Sequence, residues 1–380
     1  MFCNTNRTIN STFLQNVYYL CRLFRLHIMN KIRKHTFKKR VNAIRNTVMG
    51  RITKSIGEPD KEMNINDITV NRVFISKPNS RLGNQLLTTP LVQEVSTLYP
   101  SCKIDIFVRG YIATPVFKNY PNVNRIIKLP QKPFNNVFKY LYAWIKLRKN
   151  KYDLVINVEN GSSSGKISTK VVTSKRIIYN IFDEELNSTF SDYLHNAKTP
   201  VYNLRKCFYG DINLFKDKPL PLLDLKLDST EKANGKTVLK QLVGNDKKNI
   251  CVYTYATGDK CYTETWWTSL YNMLMEKYGD EYNIIEILPK EKISQISFKA
   301  PSFYSKDIRE IASLVSNTNY YISGDCGMMH MACASGVTTI GLFSVTRINV
   351  YGPYGNGSIS IDTNNKKVED IMNTISGVIS

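Results

Sequence analysis

The fold is constrained most by a regular alternation of short apolar runs with longer amphipathic runs, which begins near residue 70. Apolar runs of six or seven residues suit buried strands, and the amphipathic runs between them suit helices. This alternation predicts parallel sheets whose strands are joined by crossover helices. The first series has predicted strands at 71–76, 103–108, 124–129 and 152–158, with helices at 84–98 and 134–149.

A second series follows a polar, glycine-containing break near 222–232. Its predicted strands are 249–254, 283–288, 319–324 and 338–343, and its predicted helices are 263–278, 306–316 and 327–335. We therefore predict an α/β protein with two parallel-sheet domains that face each other across a cleft. The predicted division is an N-terminal extension (1–69), a first domain (70–228), a second domain (229–363) and a C-terminal helix (364–380).

The positive charge is concentrated at the N-terminus. The chain has 52 basic and 31 acidic residues, and residues 1–57 contain twelve Lys or Arg but no acidic residue. Residues 11–57 show apolar positions at helical spacing, which predicts a basic amphipathic extension suited to an anionic membrane surface. The alternative is a disordered basic leader. We expect no nucleic-acid partner, because no nucleic-acid-binding motif accompanies the charge.

The cysteines and the hydropathy indicate a cytoplasmic protein. None of the eight cysteines forms a C-x-x-C pair or a zinc-type cluster, so reduced thiols are expected. No run approaches the ~18 apolar residues of a membrane span. Arg22 and Arg25 interrupt the only apolar run near the start, which argues against a secretory signal. The apolar content of 42% excludes a largely disordered chain.

The junction from Ser323 to His330 is the strongest candidate for a ligand-binding or catalytic site. A predicted strand ends in small residues, Asp325 follows, and a helix then begins near Gly327. Free N–H groups at a helix N-terminus bind phosphate, and a glycine lets the phosphate approach the backbone. Asp325 would instead accept hydrogen bonds from sugar hydroxyls. The alternative is that Asp325 only caps the helix and His330 is an ordinary helical histidine.

Three further junctions lie after other predicted strands. Thr254–Lys260 is polar and flexible and supplies one ammonium group, as a diphosphate site requires, although an ordinary loop would look the same. Residues 77–90 form a glycine turn without a dinucleotide fingerprint, in which Lys77 and Arg81 would make the cleft cationic or serve only as solvated charges. Glu159 falls where the chain leaves the strand at 152–158.

Four segments together resemble the family 9 glycosyltransferases, the ADP-heptose:lipopolysaccharide heptosyltransferases. They are RLGNQLLTTPLVQEVSTLYPSCKIDIFV, KYDLVINVENG, ATGDK and SGDCGMMHMACASGVTTIGLF, which occur in order between about residues 72 and 345. The resemblance implies a GT-B arrangement of two Rossmann-like domains. It also implies an inverting transfer of heptose from ADP-heptose to a lipid-linked saccharide at the inner face of the cytoplasmic membrane, with no cofactor. No D-x-D pair occurs in the chain, which disfavours a metal-held diphosphate.

The resemblance also implies roles for individual residues. Asp325 and His330 would contact the donor sugar, and Lys260 would neutralise the departing nucleotide. The diphosphate would lie against the backbone of residues 326–328, namely Cys326, Gly327 and Met328. Tyr255 and Ala256 stand where the family has threonines, so Thr254 and Thr257 would substitute for them.

The main departure from the family is at Gly83-Asn84, where the family has Gly-Asp and the aspartate is the proposed general base. An amide cannot accept a proton near neutral pH, so Asn84 cannot fill that role. Three explanations remain open: Glu159 takes over as the base, proton removal is late and matters little, or the protein is a weak or inactive relative. A different nucleotide sugar is a further alternative, for which Asn84 and Tyr255 hint at a changed pocket.

Overall fold

The first sheet contains five parallel strands. A computed structural model describes residues 68–130, 137–159 and 161–379, so the predicted N-terminal extension lies almost entirely outside the described residues. The strands are β1 (Arg72–Ser76), β2 (Lys103–Arg109), β3 (Val123–Leu129), β4 (Lys151–Asn157) and β5 (Thr173–Tyr179). The helices of this part are α1 (Leu82–Leu86), α2 (Thr89–Leu98), α3 (Ala113–Val116), α4 (Val137–Arg148), α5 (Ser163–Val171), α6 (Glu184–Thr189) and α7 (Thr199–Tyr209).

The second sheet contains six strands, and the C-terminal helix packs against the domain that contains this sheet. The strands are β6 (Lys248–Tyr253), β7 (Tyr282–Ile287), β8 (Ser302–Phe303), β9 (Tyr320–Gly324), β10 (Thr338–Phe343) and β11 (Ile359–Asp362). The helices are α8 (Ser229–Val243), α9 (Glu264–Tyr278), α10 (Ile308–Val315), α11 (Gly327–Ala334), α12 (Ile348–Tyr351) and α13 (Val368–Ser376). Ile371, Met372 and Ile375 of α13 are buried in the same cluster as Trp267 and Leu270 of α9.

Both sheets have the same doubly wound topology. The strand order is β3-β2-β1-β4-β5 in the first sheet and β8-β7-β6-β9-β10-β11 in the second. Every strand pair is parallel. The order in which strands are added to the sheet therefore reverses between β1 and β4 in the first sheet and between β6 and β9 in the second. Ligands of such sheets bind in the crevice at the carboxyl ends of those strands. The prediction of two Rossmann-like parallel sheets is confirmed.

The predicted helix 84–98 is two helices, and the break has a local cause. Pro90 lacks the N–H that would bond the carbonyl of Leu86 in a continuous helix. The hydroxyl of Thr89 donates to that carbonyl instead, at 2.7 Å. Three strands were not predicted at all, β5, β8 and β11. The first is a polar edge strand, and the other two contain only two and four residues.

Buried arginines tie helices together and connect the two sheet domains. Arg205 on α7 donates from Nε and Nη2 to Glu94 on α2, at 2.7 and 2.9 Å. Arg309 on α10 is paired with Glu231 on α8 at 2.6 Å and also donates to the carbonyl of Pro115 in the first domain. Tyr120 donates to the carbonyl of Asp224, in the segment that leads into the second domain. Within the described ranges, no helix is both long enough and apolar enough to cross a bilayer.

Candidate active site

The topology brings the predicted junctions of the second domain to one place. Lys260 ends a short 3-10 helix after β6, and Asp325 follows β9, the strand that pairs with β6. The ammonium Nζ of Lys260 lies 2.5 Å from Oδ2 of Asp325, and the carboxylate is almost completely buried. The hydroxyl of Thr346, which follows β10, donates to the same carboxylate oxygen. A cation, a carboxylate and a hydroxyl therefore meet at the switch point of the second sheet.

The N-terminus of α11 lies directly beside this group. Cys326 is the N-cap residue, its backbone is extended, and its side chain makes no cap hydrogen bond. Cys326, Gly327 and Met328 are half-buried rather than sealed. The side-chain acceptor beside the N–H groups of Met328 and Met329 is the Cys326 thiol, which accepts only weakly, so an anion could replace it.

The two domains touch at this helix end through two glycines. A methyl group on Gly327 would lie 3.1 Å from the backbone nitrogen of Gly83 and 3.2 Å from Cβ of Leu82. A methyl group on Gly83 would lie 2.8 Å from Cδ2 of His330. Helix α1 of the first domain thus packs on the donor-side helix α11, and only glycine allows so close an approach.

His330 lies under this contact. Its side chain is 4% exposed, and its Nδ1 atom has no hydrogen-bond partner among the described residues. Burial lowers the pKa of His330 to about 4, and the charges of His195 and Lys260 act in the same direction while Asp325 opposes them. The imidazole is therefore neutral at pH 7. A second interdomain contact is close by, where Nε2 of His195 lies 2.8 Å from the carbonyl oxygen of Gly352.

The two threonines of the Thr254–Lys260 loop have different environments. Thr254 is 2% exposed, and its hydroxyl donates to Oε1 of Glu286 on β7 at 2.6 Å. The prediction that Thr254 substitutes for a family threonine at the nucleotide site is therefore corrected, because its hydroxyl points into the interior of the domain. Thr257 is exposed and makes no side-chain cap bond. Burial raises the pKa of Glu286, a residue that the sequence analysis missed although it is a lone acid within the apolar strand YNIIEI.

The first domain places Lys77 and Glu159 at its own switch point. Lys77 follows β1 and Glu159 lies just beyond β4, and these two strands pair directly. Oε1 of Glu159 accepts from Nδ2 of Asn79 at 3.3 Å, whereas Oε2 is buried and has no partner in the described chain. Burial lowers the pKa of Lys77, and the charge of Glu159 opposes this effect. Neither residue is hydrogen-bonded to the Lys260–Asp325 pair in the described ranges.

Further buried polar atoms that have no hydrogen-bond partner in the described part of the chain surround this first-domain site. They are Nε of Arg109 at the end of β2, Nδ2 of Asn157 at the end of β4 and Oε1 of Gln85 on α1. None of the three is predicted from the sequence, although a polar residue that ends an apolar strand could have marked the first two. The predicted acceptor-side residue Arg81 is exposed, and Asn84 is half-buried next to Gly83.

A cavity of about 490 Å³ adjoins Asp325 through Thr346. Its lining comes from the loops after β10 and β11, with Phe343, Val345, Thr346, Arg347, Ile348, Asn349, Asp362 and Asn364. Among the residues that the structure describes, no group of three His, Cys, Asp or Glu side chains is arranged to hold a metal ion.

Two solved structures of glycosyltransferases have a similar fold. The chain is similar to a glycosyl transferase family 9 protein from Veillonella parvula DSM 2008, with a TM-score of 0.61 and 16% identity over 82% of this chain and 90% of that one. It is also similar to E. coli heptosyltransferase WaaC with ADP, with a TM-score of 0.59 and 16% identity over 81% of this chain and 100% of that one. These likenesses establish the GT-B-like arrangement of the two sheets.

Curated relatives match a shorter stretch. Lipopolysaccharide heptosyltransferase 3 of Escherichia coli is 31% identical over 80 residues, which are 20% of this chain and 23% of the relative. The same-named protein of strain K12 is 35% identical over the same shares. The chain thus spans less than a quarter of the length of these relatives in the match. The model of glycosyltransferase family 9 (heptosyltransferase) matches residues 141–375, more than half of the chain, so the chain belongs to glycosyltransferase family 9.

Proposed function

We propose that the protein is an inverting, metal-independent glycosyltransferase that moves heptose from ADP-heptose to a lipopolysaccharide or lipooligosaccharide core acceptor. Family membership supports sugar transfer, and the relatives that are lipopolysaccharide heptosyltransferases support the choice of sugar and acceptor. The observation that carries the proposal is the meeting of Lys260 and Asp325 beside the N-terminus of α11.

In the proposed donor complex, Lys260 exchanges its ion-pair partner Asp325 for the diphosphate of the donor. The ammonium group neutralises the buried carboxylate of Asp325 in the structure. A diphosphate carries more negative charge than one carboxylate and would also face the N–H groups of α11, so the ammonium turns to it. Asp325 then accepts hydrogen bonds from the donor sugar, and Thr257 and the backbone of residues 326–328 border the same pocket.

The reaction needs charge stabilisation at the leaving group. The oxygen of the acceptor hydroxyl forms a bond to the anomeric carbon as the bond to the diphosphate oxygen breaks on the opposite face, so the configuration inverts. The electron pair leaves with the nucleoside diphosphate, where Lys260 and the α11 N-terminus stabilise the growing charge. One preorganised donor of this kind contributes about 10²–10³-fold in rate. The ammonium group of Lys260 and the positive end of the α11 dipole thus provide the charge that a metal would otherwise provide.

Glu159 is the proposed base that takes the hydroxyl proton. It lies at the switch point of the first sheet, and its buried Oε2, which has no hydrogen-bond partner among the described residues, can accept a hydrogen bond. Lys77, Arg81 and Gly83 would border the acceptor on the same side. Asn84 supports a second candidate function, a family 9-like transferase for a different nucleotide sugar or a catalytically weak sugar-nucleotide-binding relative.

The acceptor implies a place in the cell. A lipid-linked core saccharide is extended at the inner face of the cytoplasmic membrane, where the basic residues 11–57 would hold the protein to anionic lipid. We therefore propose a cytoplasmic protein that is peripherally bound to this membrane, with no cofactor and no nucleic-acid partner.

Turnover with a panel of nucleotide sugars tests the proposal. We expect nucleoside diphosphate release with ADP-heptose that depends on the acceptor, and Lys260→Ala should lower kcat about 10²–10³-fold with little change in acceptor KM. Lys290→Ala is the matched control, because that side chain is 86% exposed on a neighbouring loop. Equal rates for the two variants would refute the role of Lys260, and transfer only from another nucleotide sugar would support the second candidate.

A further inference from the structure

The folded body contains a long stretch without acidic residues. Residues 106–152 have ten Lys or Arg and no Asp or Glu. These basic residues are Arg109, Lys118, Arg125, Lys128, Lys132, Lys139, Lys146, Arg148, Lys149 and Lys151. The 323 residues after position 57 have 40 basic and 31 acidic groups, an excess of nine, so this stretch accounts for the whole excess. The positive charge of the body is therefore local.

Helix α4 presents part of this charge together with apolar side chains. Its inner side is packed, since Leu147 is buried and the ring of Trp144 lies 5.5 Å from that of Phe107. On its outer side, Tyr142 is 65% exposed and Ile145 is 52% exposed.

Two lysines share that outer side. Lys146 lies on α4 and Lys149 follows its last residue, and both are exposed. Positions 142, 145 and 146 have the three- and four-residue spacing of a single helix face. We call Tyr142, Ile145, Lys146 and Lys149 the outer α4 face. Large apolar side chains beside ammonium groups on a convex helix are typical of a surface that lies in a lipid headgroup layer.

A similar pair of side chains lies at the carboxyl edge of the first sheet. Tyr111, which follows β2, is 76% exposed, and Nζ of Lys128 on β3 lies 4.9 Å from the centre of its ring. Both residues are at the carboxyl edge of the first sheet, the edge that also presents Lys77 and Glu159. Helix α4 runs from this edge towards the start of β4 at Lys151, so Lys146 lies nearer the opposite edge of the sheet.

We propose that the outer α4 face binds the surface of an anionic membrane, independently of residues 11–57. Charge complementarity supports this partner, because each lysine near an anionic surface strengthens binding about fivefold. A second copy of the chain would bring like charges together, and a nucleic acid would leave Tyr142 and Ile145 exposed on a convex helix. Vesicle binding requires no substrate, so it can be measured whether or not the proposed transfer reaction is correct.

Vesicle flotation of the full chain tests the charged half of this face. The vesicles are phosphatidylcholine with or without phosphatidylglycerol. Lys146→Gln/Lys149→Gln should weaken partition to the anionic vesicles about 25-fold, and added salt should reduce the difference. The control is Lys232→Gln/Lys236→Gln on α8, which removes the same charge from two exposed positions and should leave partition near that of the unaltered chain.

A second variant tests the apolar half. Tyr142→Ser/Ile145→Ser keeps the net charge and should also weaken partition, in this case at high salt as well as low salt, because apolar contact is not screened. The proposal is wrong if both α4 variants float like the control. It is also wrong if they alter only the oligomeric state or only the binding of a DNA duplex.

Discussion

Replacement of Gly83 by alanine tests the contact that joins the two domains over the donor pocket. The added methyl carbon would lie 2.8 Å from Cδ2 of His330 and 3.4 Å from Cα of Gly327. Carbon atoms pack at about 3.5–4.0 Å, so α1 and α11 must separate by about 0.7 Å or more. His330 is buried and cannot swing away freely.

The size of the effect follows from that overlap. Overpacking at a well-packed contact costs about 1–3 kcal/mol. If catalysis needs the packed arrangement, Gly83→Ala should lower kcat/KM by about 5- to 150-fold, the rate equivalent of that free energy. The overlap is confined to one contact between α1 and α11, so the free energy of unfolding should fall by no more than the same amount.

Initial-rate kinetics and urea unfolding of Gly83→Ala are the assays. Gly377→Ala is the matched control, because its methyl group would meet nothing closer than a carbonyl oxygen at 3.4 Å. In a double-mutant cycle, His330→Ala should restore part of the stability that Gly83→Ala loses, since it removes the atom that the methyl group overlaps. Full activity and full stability of Gly83→Ala would show that the close packing of the two helices has been misread.

Three further predictions address the base, the buried ion pair and pH. Glu159→Gln should abolish transfer in initial-rate assays while Asn84→Ala retains most of it, and the reverse order would return the catalytic role to Asn84. Arg205→Met leaves a buried carboxylate unpaired and should lower the free energy of unfolding by about 3–5 kcal/mol in urea titrations. Lys240→Gln, in an exposed ion pair, should change it by less than about 0.5 kcal/mol, and similar values for the two variants would contradict the assignment. Burial lowers the pKa values of His195 and His330 to about 4, so the unfolded chain binds these protons first and stability should fall as pH drops from 6.5 to 4. His195→Gln should remove the His195 share of that fall, and an unchanged profile would refute the assignment.

Much of the fold could be predicted because parallel sheets leave a strong local pattern. Strands such as β6 and β9 are continuous apolar runs, and the carboxyl ends of neighbouring parallel strands lie at one edge. The position of Lys260 beside Asp325 follows from that rule together with the pairing of β6 with β9. The junction at Gly327 could also be predicted, since small residues that open a helix after a strand form a local signal.

The remaining features depend on contacts that no local pattern encodes. The direction of the Thr254 side chain is set by Glu286 on another strand. The contact between His195 and Gly352 joins residues 157 positions apart. Short edge strands such as β8 are held by a neighbour rather than by their own composition. Long-range pairing therefore decides which polar groups of the site are open and which are buried.

Calorimetric titration of ADP into the unaltered chain and into Lys260→Ala tests most directly whether Lys260 and the N-terminus of α11 form one diphosphate site. We predict saturable binding to the unaltered chain and binding about 10- to 150-fold weaker to the variant, the loss expected when one charged hydrogen bond is removed. Equal affinities for the two proteins, or no binding of any nucleoside diphosphate to the unaltered chain, would contradict this assignment.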